Sequence, residues 1–143
     1  MTIAVCYFSK SGNTRKVCEA VGDAIGVKAR DLSWPFDRKM DVVFLGSGVY
    51  AFGVDEQVKN FLKRNAGNIG LLVNVSTGAC TNSYKAVKKL ADELHIPMSE
   101  KEFHCKGASF GIINKSHPNA DELAAAAQFG KDVIAECEAA SKK

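Results

Sequence analysis

The sequence predicts an α/β protein, a three-layer α/β/α sandwich in which a parallel sheet of five strands lies between two layers of helices. Short apolar runs alternate with segments of helical periodicity along the whole chain. Parallel strands need such crossover segments, and right-handed crossovers leave few other architectures. The 143 residues contain no linker or internal repeat. We therefore expect one domain that spans residues 1–143.

The first third of the chain predicts two strands around one helix. The first strand covers residues 2–8, TIAVCYF, an apolar run typical of a strand buried on both faces. A helix follows over 13–25. Its expected inward residues are Val17, Ala20, Val21 and Ala24. The second strand, 27–32, is more polar and suits the edge of a sheet, and Pro35 breaks the connector behind it.

The middle of the chain repeats this alternation with more apolar strands. Residues 41–47 and 68–76 predict buried central strands. Helices are predicted over 54–64 and 82–94. Their expected inward residues are Val54, Val58, Phe61 and Leu62 in the first helix, and Val87, Leu90 and Leu94 in the second.

The last strand and helix complete the pattern. The fifth strand is predicted over 102–109 and the final helix over 119–140. Asn119 caps this helix, and Glu122 three residues later makes the arrangement a capping box. Pro118 prevents an earlier start.

Composition excludes several classes of function. Five cysteines at irregular spacing, with no Cys-x-x-Cys pair, disfavour a disulfide framework or a zinc site and fit reduced thiols in a cytoplasmic protein. Cys6 and Cys105 lie inside strand patterns and are interpreted as small core residues. The net charge of +3 comes from scattered lysines, so we expect no nucleic-acid partner. The chain has no apolar run long enough for a membrane span and no basic leader, so we expect no membrane segment and no signal peptide.

The loops at the carboxyl ends of the strands are the expected ligand-binding region, because ligands of open α/β sheets bind there. These loops cover 9–14, 47–53, 76–82 and 107–118. The first contains Ser9, Ser11 and Thr14 around Gly12, directly before a helix. Hydroxyls and the free N–H groups of a first helical turn favour a phosphate, although a plain capped turn would use the same residue types. The chain contains neither a P-loop nor a Gly-x-Gly-x-x-Gly turn.

The pattern Ser9-x-Ser11-Gly12-x-Thr14 after the first strand resembles the FMN phosphate loop of flavodoxins. The resemblance extends over all five strands and is to the short-chain type, which lacks an insertion in the fifth strand. It implies a sheet of order 2-1-3-4-5 and FMN as cofactor. The residues that it assigns to phosphate binding are Ser9, Lys10, Ser11, Gly12, Asn13 and Thr14.

The same resemblance implies two loops that hold the flavin ring. The loop after strand three would cover its inner face with Tyr50, Ala51, Phe52 and Gly53. Tyr50 offers a flat face for stacking, although it could equally be a half-buried loop aromatic. The loop after strand four would contribute Ser76, Thr77, Gly78, Ala79 and Cys80. Cys80 stands where related proteins often have an aromatic residue over the outer face, which leaves that face open unless Tyr84 covers it.

Few carboxylates lie near these loops, and this bears on electron transfer. Asp55 and Glu56 are the acidic residues there, whereas flavodoxins are usually strongly acidic. Negative charge disfavours the anionic, fully reduced flavin. The second electron should therefore enter at a less negative potential than in an acidic flavodoxin, and an acidic partner is favoured over a basic one.

The preferred hypothesis is an FMN-binding electron-transfer flavoprotein, monomeric and cytoplasmic, that shuttles one or two electrons between redox partner proteins. The alternative is a small FMN-dependent oxidoreductase that reduces an organic substrate or quinone at the open flavin face. No pair of histidine and acid predicts a catalytic residue, so an electron carrier is favoured over an enzyme.

A signalling or phosphatase role on the same scaffold is disfavoured. A response-regulator receiver needs acidic residues after strand one, where this chain has Ser9 and Lys10. It also needs an aspartate at the end of strand three, where Gly46 and Ser47 stand. A low-molecular-weight phosphatase needs Cys-x-x-x-x-x-Arg, and none of the five cysteines begins that motif.

Overall fold

The protein is represented by a computed structural model that describes residues 1–9, 12–34, 38–48, 55–77, 83–105 and 118–141. The strands are β1 (Ile3–Phe8), β2 (Ala29–Asp31), β3 (Val42–Gly48), β4 (Leu72–Thr77) and β5 (Met98–Cys105). The α-helices are α1 (Asn13–Ile25), α2 (Glu56–Asn65), α3 (Tyr84–Glu93) and α4 (Ala120–Ser141), and a short 3-10 helix spans Ala66–Asn68.

The described strands form one parallel sheet in the order β2-β1-β3-β4-β5. This confirms the predicted α/β architecture and strand order. Strands β3 and β4 are buried throughout, as their apolar sequences predict. Helices α1 and α4 pack together on one face of the sheet, and α2 and α3 cover the other.

Two hydrophobic clusters fill the spaces between the layers. On the α2/α3 side, Phe61 and Leu62 of α2 and Val87 of α3 pack against Leu45 of β3. On the α1/α4 side, Phe44 of β3 meets Phe129 of α4 edge-on, with ring centroids 6.4 Å apart. Strand β3 therefore sends alternate side chains into opposite clusters.

Most element boundaries agree with the prediction to within two residues, but two strands start elsewhere. Strand β4 begins at Leu72, four residues after the predicted start at 68, because Ala66–Asn68 form a 3-10 helix. Strand β5 differs in the opposite direction. It begins at Met98, four residues before the predicted start at 102, and its described part ends at Cys105. The pairing with β4 sets this start, because the Leu72 N–H donates to the carbonyl of Pro97 at 2.8 Å and Leu72 pairs with Met98. The polar sequence Ser99–Lys101 is compatible with a strand because β5 lies at the edge of the sheet.

Local sequence determines the bounds of helix α1 and the cap of helix α4. Helix α1 has the predicted bounds, but its buried face includes Cys18 and Gly22, whereas Ala20 and Ala24 are partly exposed. At α4, the Glu122 N–H donates to Asn119 Oδ1 at 2.9 Å and the Asn119 N–H donates to Glu122 Oε1 at 3.1 Å. The predicted capping box is thus confirmed.

None of the helices in the described part of the chain is long and apolar enough to span a membrane.

Candidate functional site

The turn between β1 and α1 lies at the carboxyl edge of the sheet. Gly12 precedes the first residue of α1 with φ +91° and ψ −7°, a left-handed conformation that favours glycine. Its N–H donates to Ser9 Oγ at 2.9 Å, and its carbonyl accepts from the Lys16 N–H at 3.0 Å. The Ser9 hydroxyl therefore closes the turn as an acceptor and keeps its own proton for another partner.

The start of α1 has the properties of an anion-binding site. Within the described chain, no side chain caps the helix and its first turn has no acidic residue. Arg15 and Lys16 are exposed in that turn. A methyl group added to Gly12 would meet no described atom within 4 Å, so the backbone there faces open space. The N–H groups of a first helical turn beside positive side chains and open space fit a phosphate group.

The turn is connected directly to the end of β4. Thr14 Oγ1 and Thr77 Oγ1 lie 2.8 Å apart in a buried hydrogen bond in which either can donate. Asn13 is also buried. Two segments far apart in sequence, both predicted to bind the cofactor, are thus held together by side-chain contact.

A buried polar cluster lies on the α2/α3 side of the same edge. Ser83, before α3, accepts hydrogen bonds at 3.2 Å from Ser47 Oγ of β3 and from Asn74 Nδ2 of β4. All three side chains are fully or almost fully buried. This cluster fixes the start of α3 against the ends of β3 and β4, because buried polar groups persist when they are hydrogen-bonded.

A histidine that sequence reasoning missed lies beside this cluster. His104 on β5 pairs with Ser76 on β4, and Ser76 Oγ lies 2.6 Å from His104 Nδ1. Ser76 is fully buried in β4, and this hydrogen bond gives its hydroxyl a partner. The alternation of residues along 102–105 could have placed His104 on the α2/α3 side of the sheet, but its partner follows only from the register of β4 and β5.

Tyr84 is directed away from the carboxyl edge. Its hydroxyl donates to the carbonyl of Ser99 at 3.2 Å, near the start of β5. The sequence left open whether Tyr84 covers the outer face of a flavin. In the structure, its hydroxyl is bound to β5 instead.

The other predicted site residues lie outside the described residues. They are Lys10, Ser11, Tyr50, Ala51, Phe52, Gly53, Gly78, Ala79 and Cys80. Of the predicted set, the described residues are Ser9, Gly12, Asn13, Thr14, Ser76 and Thr77. Four of these six lie in the β1–α1 turn or the first turn of α1, and the two others end β4.

The buried cysteines are small core residues, as predicted for Cys6 and Cys105. Desolvation is the main cause that raises the pKa of each of these two thiols to about 12. Burial also raises the pKa of Cys18 strongly. These thiols stay protonated at neutral pH and are poor nucleophiles. In the described chain, no cluster of His, Cys, Asp or Glu could hold a metal ion.

No protein-family model matches the chain. An uncharacterized protein of Methanocaldococcus jannaschii is 27% identical over 135 residues, which covers 85% of this chain and 90% of that protein. The two sequences therefore align over most of both lengths.

Solved structures share the fold over most of the chain. A flavodoxin from the domain Archaea superposes with a TM-score of 0.73 at 16% identity, over 96% of this chain and 99% of that one. Rubredoxin oxygen:oxidoreductase from Desulfovibrio gigas gives 0.74 at 14%, over 96% of this chain but only 36% of that one. A flavoprotein in complex with FMN from Lactobacillus acidophilus gives 0.55 at 15%, over 73% and 90%. The strand order, the helical layers and these superpositions together show that the chain has the flavodoxin-like fold.

Proposed function

We propose that this protein binds FMN and carries one or two electrons between redox partner proteins. The observation that carries the proposal is the left-handed Gly12 turn, which presents the uncapped start of α1 to open space at the carboxyl edge of the sheet. The FMN complex of the Lactobacillus acidophilus flavoprotein, which shares this fold, supports the same cofactor class.

In this proposal the β1–α1 turn binds the phosphate. N–H groups of the first turn of α1 donate to the phosphate oxygens, and the Ser9 hydroxyl, already an acceptor from Gly12, donates its proton. A hydrogen bond to a charged oxygen contributes about 1.5–3 kcal/mol. A few such bonds suffice for a phosphate monoester without a buried arginine.

The ends of β3 and β4 would support the ring. The Thr14–Thr77 contact holds the end of β4 against the phosphate turn, and the Ser83 cluster holds the start of α3 beside it. Bound FMN supplies the one- and two-electron chemistry. The residues of this chain would position it and set the charge around it.

The geometry of Tyr84 supports a second candidate, a small FMN-dependent oxidoreductase that reduces an organic substrate or a quinone. Because the Tyr84 hydroxyl is held by Ser99 near the start of β5, this ring leaves the outer face of a bound flavin uncovered. Steady turnover of NAD(P)H with a quinone by the purified protein would favour this candidate over a pure carrier.

Replacement of Gly12 by valine tests the phosphate site. A β-branched residue is strained at φ +91°, so the turn must change shape and its N–H groups lose their alignment. We expect the affinity for FMN to fall at least tenfold, which corresponds to about 1.4 kcal/mol. Riboflavin, which lacks the phosphate, should lose less than twofold in a titration of flavin fluorescence.

Gly26→Val is the matched control. Gly26 is the second left-handed glycine of the same helix, at its far end, with φ +74° and no neighbour within 4 Å of an added methyl group. It should lower stability similarly without distinguishing FMN from riboflavin. The proposal is wrong if the wild-type protein leaves flavin fluorescence unchanged. If Gly12→Val lowers the affinities for FMN and riboflavin equally, the phosphate binds elsewhere.

A further inference from the structure

The two helical layers carry opposite net charges. Helices α2 and α3 contain six basic and three acidic residues, a net charge of +3. Helices α1 and α4 contain three basic and seven acidic residues, a net charge of −4. The opposite charges of the two layers largely cancel in the net charge of the chain. The scattered lysines in the sequence do not reveal this separation of charge across the sheet.

The positive charges of α3 precede its negative charges along the helix. Lys85, Lys88 and Lys89 precede the helix's first acidic residue, Asp92. Lys88 Nζ pairs with Asp92 at 2.9 Å. Lys85 and Lys89 are exposed and make no ion pair with any residue that the structure describes. We call Lys85, Lys88 and Lys89 the lysine face.

This arrangement opposes the stability of α3 itself. Lys85 lies in the first turn, where the helix dipole favours negative charge, whereas Asp92 and Glu93 lie in the last turn, where it favours positive charge. Lys85 and Lys89 are also an i,i+4 pair of like charge. Helix α2 in the same layer has the favourable order, with Asp55 as its cap and Lys63 in its last turn.

An anion outside the helix would balance this charge. Helix α1 shows the same inversion, with Arg15 and Lys16 in its first turn, and there the proposed phosphate supplies the anion. The proposed function provides no such anion for α3. Its first turn follows the end of β4 at the carboxyl edge, so an anion there would lie beside the proposed flavin site.

We propose that the lysine face is the docking surface for an acidic redox protein. The inference rests on the proposed electron-transfer function and adds to it the chemistry of the partner. Positive charge at the rim of the flavin site attracts an acidic surface and orients it with its redox centre toward the carboxyl edge. The acidic α1/α4 layer repels the same partner from the opposite side.

The test measures binding to two probes of opposite charge, an acidic [2Fe–2S] ferredoxin and a basic cytochrome c, by calorimetry at low and at high salt. The variant is Lys85→Glu with Lys89→Glu. Its control is Lys28→Glu with Lys131→Glu, which changes the net charge equally at exposed positions away from α3. FMN-loaded protein is used, and flavin titration of each variant is run separately.

We expect wild-type protein to prefer the ferredoxin at low salt and to lose at least tenfold in affinity at high salt. The α3 variant should lose at least tenfold for the ferredoxin at low salt, and the control less than threefold. Equal losses in both variants, or a wild-type preference for cytochrome c, would overturn the proposal. So would tighter binding of a single-stranded oligonucleotide or of anionic phosphatidylserine vesicles than of the ferredoxin, because each identifies a different occupant.

The two proposals can fail separately. If the protein does not bind FMN, the flavin titration fails, and ferredoxin binding by the protein without FMN still reports on the lysine face. If FMN binds normally and the α3 substitutions do not change the affinity for ferredoxin, the docking proposal alone is wrong.

Discussion

Gly12 and Gly46 show that two glycines can be needed for different physical reasons. Gly12 adopts a left-handed backbone conformation beside open space. Gly46, in the middle of β3, has no unusual backbone requirement but lies under α1. A methyl group built on it would lie 2.2 Å from Cys18 Sγ and 2.9 Å from Thr14 Cγ2. Gly46 therefore allows α1 to approach the sheet closely enough for Thr14 to reach Thr77.

Gly46→Ala should destabilise the protein by about 1–3 kcal/mol, the usual effect of overpacking a core. Urea unfolding measures the change. Gly67→Ala is the control, because a methyl group there meets nothing within 4 Å and should leave stability nearly unchanged.

A double-mutant cycle with Cys18→Ala identifies the contact responsible. Removal of the sulfur leaves room for the new methyl group, so the double variant should be more stable than the sum of the single effects predicts. Simple additivity would show that another contact, such as the one with Thr14, is responsible.

At the scale of the elements, α3 carries its charges in an order that is unfavourable to a helix. This predicts that a substitution which stabilises α3 weakens the binding of a partner. Lys85→Glu places a negative charge in the first turn and creates a favourable pair with Lys89. We expect the free energy of unfolding to rise by about 0.3–1 kcal/mol in urea titrations, while affinity for an acidic partner falls.

Lys63→Glu on α2 is the converse experiment, because it removes a favourable charge and not an unfavourable one. Lys63 is an exposed residue in the last turn of its helix, where positive charge is favourable. Its replacement should lower stability by a similar amount. A Lys85→Glu variant that is less stable than wild type would show that Lys85 has a structural role and would remove this argument for docking.

The start of β5 depends on its pairing with β4 and not on the pattern of its own sequence. The alternation of Phe103 and Cys105 with polar residues indicates a strand, but the polar segment 99–101 gives no local indication of one. Backbone hydrogen bonds to β4 extend the strand back to Met98 regardless of side-chain polarity. By contrast, the bounds of α1 and the cap of α4 depend on neighbours in sequence, and both were predicted correctly.

At the scale of the whole molecule, the distribution of charge is expected to set the potential of a bound flavin. Of the acidic residues near the carboxyl edge, Asp55 is engaged in capping α2, where its Oδ1 accepts from the Gln57 N–H at 2.9 Å. Lys85 lies at the start of α3. Asp55 keeps its negative charge as a cap, so it is Lys85 that would favour the anionic, fully reduced form of a bound flavin.

A spectroelectrochemical titration should therefore show a second reduction step that is less negative than in acidic flavodoxins. Lys85→Glu should make it more negative, and added salt should reduce the difference between the two proteins. Two widely separated steps with a very low second potential in the wild type would contradict this.

The candidate site was predictable in part. Ser9, Gly12 and Thr14 were found because a turn and a helix start are local features of the sequence. The partners Thr77 for Thr14 and His104 for Ser76 were not, because each depends on which strands are neighbours and in what register. The interpretation of Tyr84 also needed the structure, since its hydroxyl contacts a strand fifteen residues away.

Local sequence was sufficient for the alternation of strands and helices, the glycine turn before α1 and the cap of the last helix, because hydrophobic periodicity, glycine conformation and capping act over a few residues. The close approach of α1 over Gly46, the Thr14–Thr77 and Ser76–His104 contacts and the opposite charges of the two helical layers arise only when the chain is folded. They join residues that are distant in sequence, and the sheet alone brings those residues together.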